Sequence, residues 1–127
     1  MLLHTLKILD NEFTIHRFGP TENIPATITA SEYFWIGKTD TELSVVCDST
    51  IELNSTKSEA GWIAIKVRGQ IDFSEIGVIA GITTALAAKR ISVFVISTFD
   101  TDYILVKVSK VSESIETLMQ AGYLFAE

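Results

Sequence analysis

Cysteine, histidine and proline are scarce in this chain of 127 residues, and each shortage narrows the class of protein. The single cysteine, Cys47, excludes an internal disulfide framework. With only His4 and His16 beside it, no part of the sequence has the ligand spacing of a zinc site. We therefore expect no structural metal and no cofactor. Two prolines and a hydrophobic fraction of 47% favour a compact globule of one domain, or of two small ones that share a core.

Positive charge and long apolar runs are also lacking. Ten Lys and Arg residues stand against 16 Asp and Glu, which gives a net charge of -6, and neither half of the chain is basic. Nucleic acid and anionic membrane surfaces are therefore poor partners, whereas cationic or zwitterionic ligands are favoured. The longest weakly polar run, residues 76–88, is too short to span a bilayer, and the first residues do not form a secretory signal. We expect a soluble, cytoplasmic protein.

The second half of the chain shows clear periodic patterns. Residues 62–68 alternate in a way that is typical of a strand with one buried face. Residues 69–74 indicate a turn in which Ser74 is a candidate helix cap, and apolar residues then follow at helical spacing, at Ile79, Ile82 and Leu86. Gly77 and Gly81 lie within this predicted helix, which indicates that a neighbouring backbone or a ligand approaches it closely.

A hairpin and a second helix follow along the chain. The apolar and aromatic residues at 91–99 and 103–108 predict two antiparallel strands joined by a short turn at Asp100 and Thr101. The second helix ends near Gly122, and its apolar positions are Val111, Ile115, Leu118 and Met119. With a last edge strand at 123–125, the order is βαββαβ, which predicts an α+β, ferredoxin-like unit.

The first half repeats part of this pattern in a weakened form. Residues 34–49 match residues 94–109, sixty positions later, at six positions that include the turn. Such self-similarity favours an internal duplication. Between the first strand and the repeated hairpin, Pro20 and Pro25 suit an irregular connection better than a helix. The first copy is therefore expected to be degenerate.

These patterns predict a division of the chain into two parts. Residues 1–59 form the degenerate copy and residues 60–127 form the complete unit. A polar stretch at 48–61 connects them as a loop that Ile51 and Leu53 pin down. Because one such unit leaves a sheet face and an edge uncovered, we expect the halves to pack together within the chain and the product to form a homodimer.

Catalytic signatures are missing from the sequence. No G-x-S-x-G elbow occurs, no glycine-rich phosphate loop follows a strand, and neither histidine has a nucleophile at a recognisable spacing. Cys47 lies in an apolar strand and is expected to be a buried structural thiol. The Asp-Thr-Asp stretch at 100–102 supplies too few oxygens for a calcium cage. We expect that the protein is not an enzyme.

Two segments of the second half resemble the ACT domains of amino-acid-regulated proteins. One is G-Q-I-D-F-S-E-I-G at residues 69–77, and the other is I-S-V-F-V-I-S-T-F-D-T-D at residues 91–102, in which S-T-F-x-x-D is the most specific part. In the first half, K-T-D-T-E-L-S-V-V-C at residues 38–47 is similar to the matching strand pair. The chain most resembles the small bacterial paired-ACT proteins, which are similar to the animal cytosolic arginine sensor and to aspartate kinase regulatory domains.

The resemblance implies a site for a free amino acid in the loop between the first strand and the first helix of the βαββαβ unit. Backbone amides at a helix start suit the α-carboxylate, and nearby acidic side chains suit an ammonium or guanidinium group. Arginine or lysine is therefore the expected ligand. The ligand-binding residues that the resemblance implies are Gly69, Ile71, Asp72, Ser74, Glu75, Thr98, Phe99 and Asp102.

Several of these residues also have a purely structural interpretation. Asp72 can accept hydrogen bonds from loop amides, Ser74 can cap the helix, and Phe99 can pack in a core or an interface. Two functions therefore stay open. The first is a regulatory or sensor module that binds an amino acid, and the alternative is a ligand-free module for protein interaction or dimerisation.

Overall fold

The computed structural model describes residues 3–127. The strands in this part of the chain are β1 (Leu6–Phe18), β2 (Trp35–Lys38), β3 (Leu43–Asp48), β4 (Lys57–Val67), β5 (Phe94–Ser97), β6 (Asp102–Lys107) and β7 (Phe125–Ala126). The α-helices are α1 (Val78–Ala88) and α2 (Val111–Gln120), and two short 3₁₀ helices span Ala26–Ala30 and Val108–Lys110. Within the described range, no helix is long and apolar enough to cross a membrane.

These elements form two compact units. The helical unit consists of the described residues up to Asp10 together with Ile63–Glu127, and the strand unit consists of Asn11–Trp62. The long strands β1 and β4 each contribute to both units. The sequence division after residue 59 groups residues 6–10 with the first half, whereas in the structure they pack with the second.

The helical unit has the predicted βαββαβ order, in β4, α1, β5, β6, α2 and β7. In its sheet, β6 lies between β4 and β5, and β5 runs antiparallel to β6. The short strand β7 runs parallel to the start of β1, with Leu6 opposite Phe125, and β1 is the neighbour of β4. Residues 6–10 therefore supply a strand between β7 and β4, which explains why they belong to this unit.

The core of the helical unit lies between the two α-helices and one face of this sheet. Ile65 and Val67 are fully buried there, as the alternation over residues 62–68 predicts. Ala64 on the opposite face is fully buried as well, so the prediction that only one face of this strand is buried is wrong. The helices bring apolar side chains to the same core, because every third or fourth residue of a helix lies on one face. The buried members of the cluster are Leu6, Ile65, Val67, Ile82, Leu86, Ile91, Ile104, Val106, Leu118 and Tyr123.

Ser74 was predicted to cap α1, and this prediction is wrong because α1 begins only at Val78. The amide and the hydroxyl of Ser74 instead donate to Oδ1 of Asp72, at 2.9 and 2.8 Å. The N-cap is Gly77, whose φ of 82° is a conformation that other residues rarely adopt, and nothing lies within 4 Å of a Cβ built there. The close approach of a backbone or a ligand that was expected at both glycines is therefore wrong at Gly77. At Gly81 the close neighbour is a side chain instead, because Oη of Tyr123 lies 2.8 Å from a Cβ built on that glycine.

The helix α2 buries a different set of residues from the predicted one. Leu118 is buried as expected, but Met119 is 56% exposed. Ser114 and Thr117 are buried instead. The hydroxyl of Ser114 donates to the carbonyl of Lys110 at 2.7 Å, so this small polar residue faces the core with its hydrogen bond satisfied by its own helix.

The strand unit is built around β3, which is antiparallel to both β1 and β2. The connection from β1 to β2 contains only the short 3₁₀ helix Ala26–Ala30. This agrees with the irregular connection predicted from Pro20 and Pro25. One buried cluster of the unit contains Phe18, Ile28, Leu43, Val45 and Cys47, with Ile51 and Leu53 packed against it.

Two details of the first half differ from the sequence analysis. β4 begins at Lys57, so residues 57–61 of the predicted loop belong to a strand. The two hairpins also correspond at a different offset: Lys38 faces Leu43 at the end of one, and Ser97 faces Asp102 at the end of the other, 59 residues later. The predicted spacing of sixty followed side-chain identities in the turn and in the strands, whereas the strand pairing depends on backbone hydrogen bonds.

Candidate functional site

A cleft of about 210 Å³ opens in the helical unit between the loop that follows β4 and the turn that joins β5 to β6. The loop spans residues 68–77 and the turn spans residues 98–101. Both segments come from the two sequence stretches that resemble ACT domains. The residues that line the cleft are Ile71, Asp72, Phe73, Glu75, Gly77, Val78, Ile79, Ser97, Thr98, Phe99, Asp100, Thr101 and Asp102.

Hydrogen bonds hold the loop against the turn and give it a defined shape. The Ile71 amide donates to the Asp100 carbonyl at 2.7 Å, and the Glu75 amide donates to the Asp72 carbonyl at 2.9 Å. The amide of Ser74, and then its hydroxyl, hold the pKa of the Asp72 carboxyl below its ordinary value. Because these donors favour the charged form, Asp72 is ionised at neutral pH.

The turn is anchored to the sheet by buried hydrogen bonds. Thr101 is only 4% exposed, and its hydroxyl donates to the Val67 carbonyl at 2.7 Å. The amide and the hydroxyl of Thr98 both donate to the Thr101 carbonyl, at 2.9 and 3.0 Å. This wall of the cleft is therefore held to the end of β4.

The charged residues that line the cleft are all acidic. Four acidic residues line it, namely Asp72, Glu75, Asp100 and Asp102, and no lysine or arginine among the described residues does so. Asp102 accepts a hydrogen bond from the Ser97 hydroxyl at 2.6 Å. Oε2 of Glu75 lies 2.7 Å from Nε2 of His4. A cationic group that entered the cleft would meet acceptor oxygens from both the loop and the turn.

The start of α1 forms another part of the cleft wall. Gly77, Val78 and Ile79 line the cleft, and no side chain of the described residues caps the helix. The first amides of a helix have no partner within it and carry the positive end of its dipole, so they suit a carboxylate. The helix amides at the cleft thus belong to residues 77–79, beyond the predicted loop at 69–75.

Two exposed phenylalanines stand at the edge of the cleft. Phe73 is 76% exposed and Phe99 is 72% exposed, and their rings meet edge to face with centroids 5.0 Å apart. Ile76 in the same loop is 94% exposed. Phe99 was expected to line a ligand site or to pack in a core or an interface, and its exposure shows that it does not lie in the core.

The structure brings most of the predicted site residues together. Ile71, Asp72, Glu75, Thr98, Phe99 and Asp102 all line the cleft. Gly69 lies outside it, and Ser74 bonds Asp72 without lining the cleft. The lining residues that sequence reasoning did not assign to the site are Phe73, Gly77, Val78, Ile79, Ser97, Asp100 and Thr101. For Phe73 the available signal was an aromatic side chain inside the very loop that the resemblance selected.

The fold and the cleft together define a ferredoxin-like α+β protein whose first helix begins at a polar cleft. The model of the ACT domain matches residues 57–120, and a second family model, for an N-terminal domain, matches residues 11–51. A solved protein from Agobacterium tumefaciens is 31% identical, with a TM-score of 0.90 over 99% of this chain and 94% of that one. No curated protein matches the sequence significantly.

More distant structures share the fold. A Vibrio cholerae protein is 17% identical, with a TM-score of 0.70 over 92% of this chain and 89% of that one. The ligand-free regulatory subunit of aspartate kinase from Thermus thermophilus is 9% identical, with a TM-score of 0.69 over 96% of this chain and 99% of that one. The chain belongs to the ACT domain family, and both the predicted family and the predicted α+β fold are confirmed.

Proposed function

We propose that the protein is a regulatory module that binds a free amino acid in the cleft. The observation that carries this proposal is the placement of an uncapped helix start and four carboxylates around one cavity. A zwitterion needs both kinds of partner, because its carboxylate accepts hydrogen bonds from donors and its ammonium group donates hydrogen bonds to acceptors. Membership of the ACT domain family and the fold shared with an aspartate kinase regulatory subunit support a regulatory role.

The charges of the cleft favour arginine or lysine as the ligand. The α-carboxylate would meet the amides of residues 77–79, and the cationic side chain would meet Asp102 and the carboxylates of the loop. A glutamate or aspartate side chain would face like charge instead. The net charge of -6 supports the same preference more weakly.

Binding without catalysis is part of the proposal. Burial, and then the charge of Asp48, raise the pKa of the Cys47 thiol, so Cys47 stays protonated and unreactive at neutral pH. His16 is 5% exposed, and burial lowers its pKa. Its Nδ1 pairs with the Ser55 hydroxyl at 2.9 Å, so it lies in the strand unit with a structural partner.

Isothermal titration with arginine, lysine, glutamate and alanine tests the proposed ligand. We expect saturable binding of arginine or lysine, with glutamate at least about tenfold weaker because it lacks the charged hydrogen bonds to the carboxylates. A thermal-shift screen of the standard amino acids gives an independent readout, since a ligand that binds only the folded state raises its stability. Tight binding of glutamate without arginine would contradict the charge argument.

A second candidate function rests on the exposed apolar side chains at the cleft. Phe73, Ile76 and Phe99 form an apolar surface that a partner protein or a second copy could cover. In this case the protein is a ligand-free interaction or homodimerisation module. This function would be favoured over the first if no amino acid binds and if the protein shows concentration-dependent sedimentation that Phe99→Ser abolishes.

A further inference from the structure

The segment at residues 49–56 runs from β3 to β4 in the strand unit, and we call it the strap. Backbone hydrogen bonds tie both of its ends to β1. The Ser49 amide donates to the Glu12 carbonyl at 2.8 Å, and the Thr56 amide donates to the Arg17 carbonyl at 2.9 Å. Between these anchors, the two apolar side chains of the strap pack against the buried cluster of the unit. The strap therefore has a defined, closed position.

Side chains from one face of β1 also bond the strap. Thr14 and His16 are two residues apart and so lie on the same face of the strand. The Thr14 hydroxyl lies 2.8 Å from the Ser49 hydroxyl, and Nδ1 of His16 lies 2.9 Å from the Ser55 hydroxyl. Both β1 side chains are buried, at 8% and 5% exposed. The strap therefore covers this face of β1, and its opening would bring the imidazole of His16 into water.

The second ring nitrogen of His16 is buried without a partner. No group among residues 3–127 forms a hydrogen bond with its Nε2. Phe18, two residues along the same face, stacks beside the imidazole with the ring centroids 6.3 Å apart. A neutral imidazole leaves one uncharged nitrogen unpaired here, whereas an imidazolium would bury a charged N–H group with no acceptor. The closed strap therefore favours neutral His16, and burial lowers the pKa of its imidazole.

No charged group in the described part of the chain forms an ion pair with His16. On β3, which pairs with β1, burial raises the pKa of the Cys47 thiol, and the Thr50 amide lowers the pKa of the Asp48 carboxyl. Cys47 therefore stays neutral and Asp48 stays ionised between about pH 5 and 7.5. The charged residues of β1, the strap and β4 that lie nearest to these contacts in the chain are exposed, namely Glu12, Arg17, Glu52, Lys57 and Glu59. A proton on His16 would have no counter-charge at hydrogen-bonding distance.

We propose that the strap is a proton-sensitive element of the strand unit, which opens when His16 takes up a proton. In the open strap the imidazole meets water and ionises at the ordinary histidine pKa of about 6.5. Because the closed strap binds this proton less readily, its stability is complete above about pH 6.5 and is lost as the pH falls below that value. The strand unit would then respond to mild acid while the helical unit keeps its fold.

Amide hydrogen exchange of the full, ¹⁵N-labelled chain at about pH 7.5 and about pH 5 tests the proposal. The readout is the protection factor, which corrects each amide for the intrinsic effect of pH on exchange. We expect the protection of the Thr56 amide to fall about tenfold at the lower pH, because the open strap gains a proton that the closed strap excludes. The Ile71 amide, which donates to the Asp100 carbonyl in the helical unit, should keep its protection. Unchanged protection of Thr56, or an equal loss at Ile71, would overturn the proposal.

Variants of the two histidines assign the effect to one imidazole. His16→Asn keeps a short side-chain amide for the Ser55 hydroxyl and cannot take up a proton, so the protection of Thr56 should no longer depend on pH in this range. His4→Asn removes the histidine of the helical unit and is the matched control, which should keep the full pH dependence. An undiminished pH dependence in His16→Asn would overturn the proposal.

Imidazole NMR of the unmodified chain tests the proposal even if His16→Asn does not fold. We expect the ring of His16 to stay neutral below the ordinary histidine pKa of about 6.5, and its protonation to accompany the loss of Thr56 protection. An ordinary titration of His16 with the strap still closed would show that the buried imidazole tolerates the charge, and would contradict the proposal.

Discussion

The two hairpins, β2–β3 and β5–β6, share one turn and differ in what surrounds it. Each turn begins with a threonine whose amide donates to the carbonyl of the fourth residue, from Thr39 to Glu42 and from Thr98 to Thr101, both at 2.9 Å. The two threonine hydroxyls donate to the same carbonyls, at 3.4 and 3.0 Å. In both units, hydrogen bonds between the turn's own residues therefore determine its shape.

The surroundings of the β5–β6 hairpin make its turn a wall of the cleft. In the helical unit, the Thr101 hydroxyl reaches the Val67 carbonyl, and the Asp100 carbonyl accepts from Ile71 in the loop before α1. In the strand unit, residues 39–41 are exposed, and the connection before that hairpin holds only a 3₁₀ helix. The β5–β6 turn thus lines the cleft together with a strand-to-helix loop that is hydrogen-bonded to it, and the β2–β3 hairpin is preceded by no such loop in the described residues.

The largest difference that we expect between the two hairpins is in ligand binding. Asp102→Asn should weaken arginine binding at least about tenfold, because a charged hydrogen bond to the guanidinium group is lost. The melting temperature without ligand should stay nearly unchanged, since Asp102 is partly exposed. Titration calorimetry and thermal denaturation measure the two effects. Asp40→Asn in the other turn is the matched control, and an equal loss of binding there would contradict the assignment of the site.

The contribution of the buried Thr101 hydroxyl to stability can be compared with that of the exposed Thr41 hydroxyl. Thr101→Val leaves the Val67 carbonyl without its buried donor, so we expect the free energy of unfolding to fall by about 1–3 kcal/mol. Thr41→Val removes an exposed hydroxyl and should change it by less than about 0.5 kcal/mol. Urea denaturation of the three proteins measures both. Equal effects of the two substitutions would show that the anchor contributes nothing to stability.

A smaller difference in stability is expected between substitutions of two glycines. Gly77 precedes α1 in the helical unit, and Gly37 lies in β2 of the strand unit. Gly77→Ala forces a side chain into a φ of 82° and should cost about 1–2 kcal/mol of stability. Gly37→Ala places a Cβ in open space at an ordinary backbone angle, so its effect should be within about 0.5 kcal/mol. Thermal denaturation decides the point. A neutral Gly77→Ala would mean that the start of α1 tolerates another conformation.

The smallest expected effect concerns acid pH and a second motif that occurs in both units. Asp48 accepts from the amide and hydroxyl of Thr50, as Asp72 does from Ser74. The Thr50 amide first, and then the Asn11 side chain, lower the pKa of Asp48, while the amide and hydroxyl of Ser74 lower that of Asp72.

The lowered pKa values set the direction of the pH dependence. Each carboxylate stabilises the fold above the ordinary aspartate pKa of about 3.9, and this stability is lost as the pH falls through the lower, folded value. Carboxyl NMR titration should show both groups becoming protonated only below the ordinary aspartate pKa. Asp48→Asn and Asp72→Asn should each make the loss of stability in acid less steep. A titration of either group at its ordinary pKa would contradict the role of these hydrogen bonds.

The resemblance to ACT domains selected part of the candidate site. It brought together the loop before α1 and the end of the β5–β6 hairpin, and Asp72, Thr98 and Asp102 do line one cleft. Local pattern placed the helix start at Ser74, because a serine before an apolar helical pattern is a common cap. It failed there because Asp72 competes for that serine, and Gly77 then starts the helix.

Element type and order followed from local chemistry. Alternation over residues 62–68 and the helical spacing of Ile79, Ile82 and Leu86 report which side of each element is apolar, without any knowledge of its partner. The sequence patterns did not show which elements pack together, and only the tertiary structure decided this. β7 pairs with β1, a strand from the other end of the chain.

The same limit applies to the cleft. Asp72 and Asp102 line it together because the Ile71 amide reaches the Asp100 carbonyl and the Thr101 hydroxyl reaches the Val67 carbonyl. Hydrogen bonds between distant segments set this neighbourhood, and neither charge carries any local mark of the other. Periodicity reports the faces that are buried, whereas the pairing of strands decides which side chains meet on them.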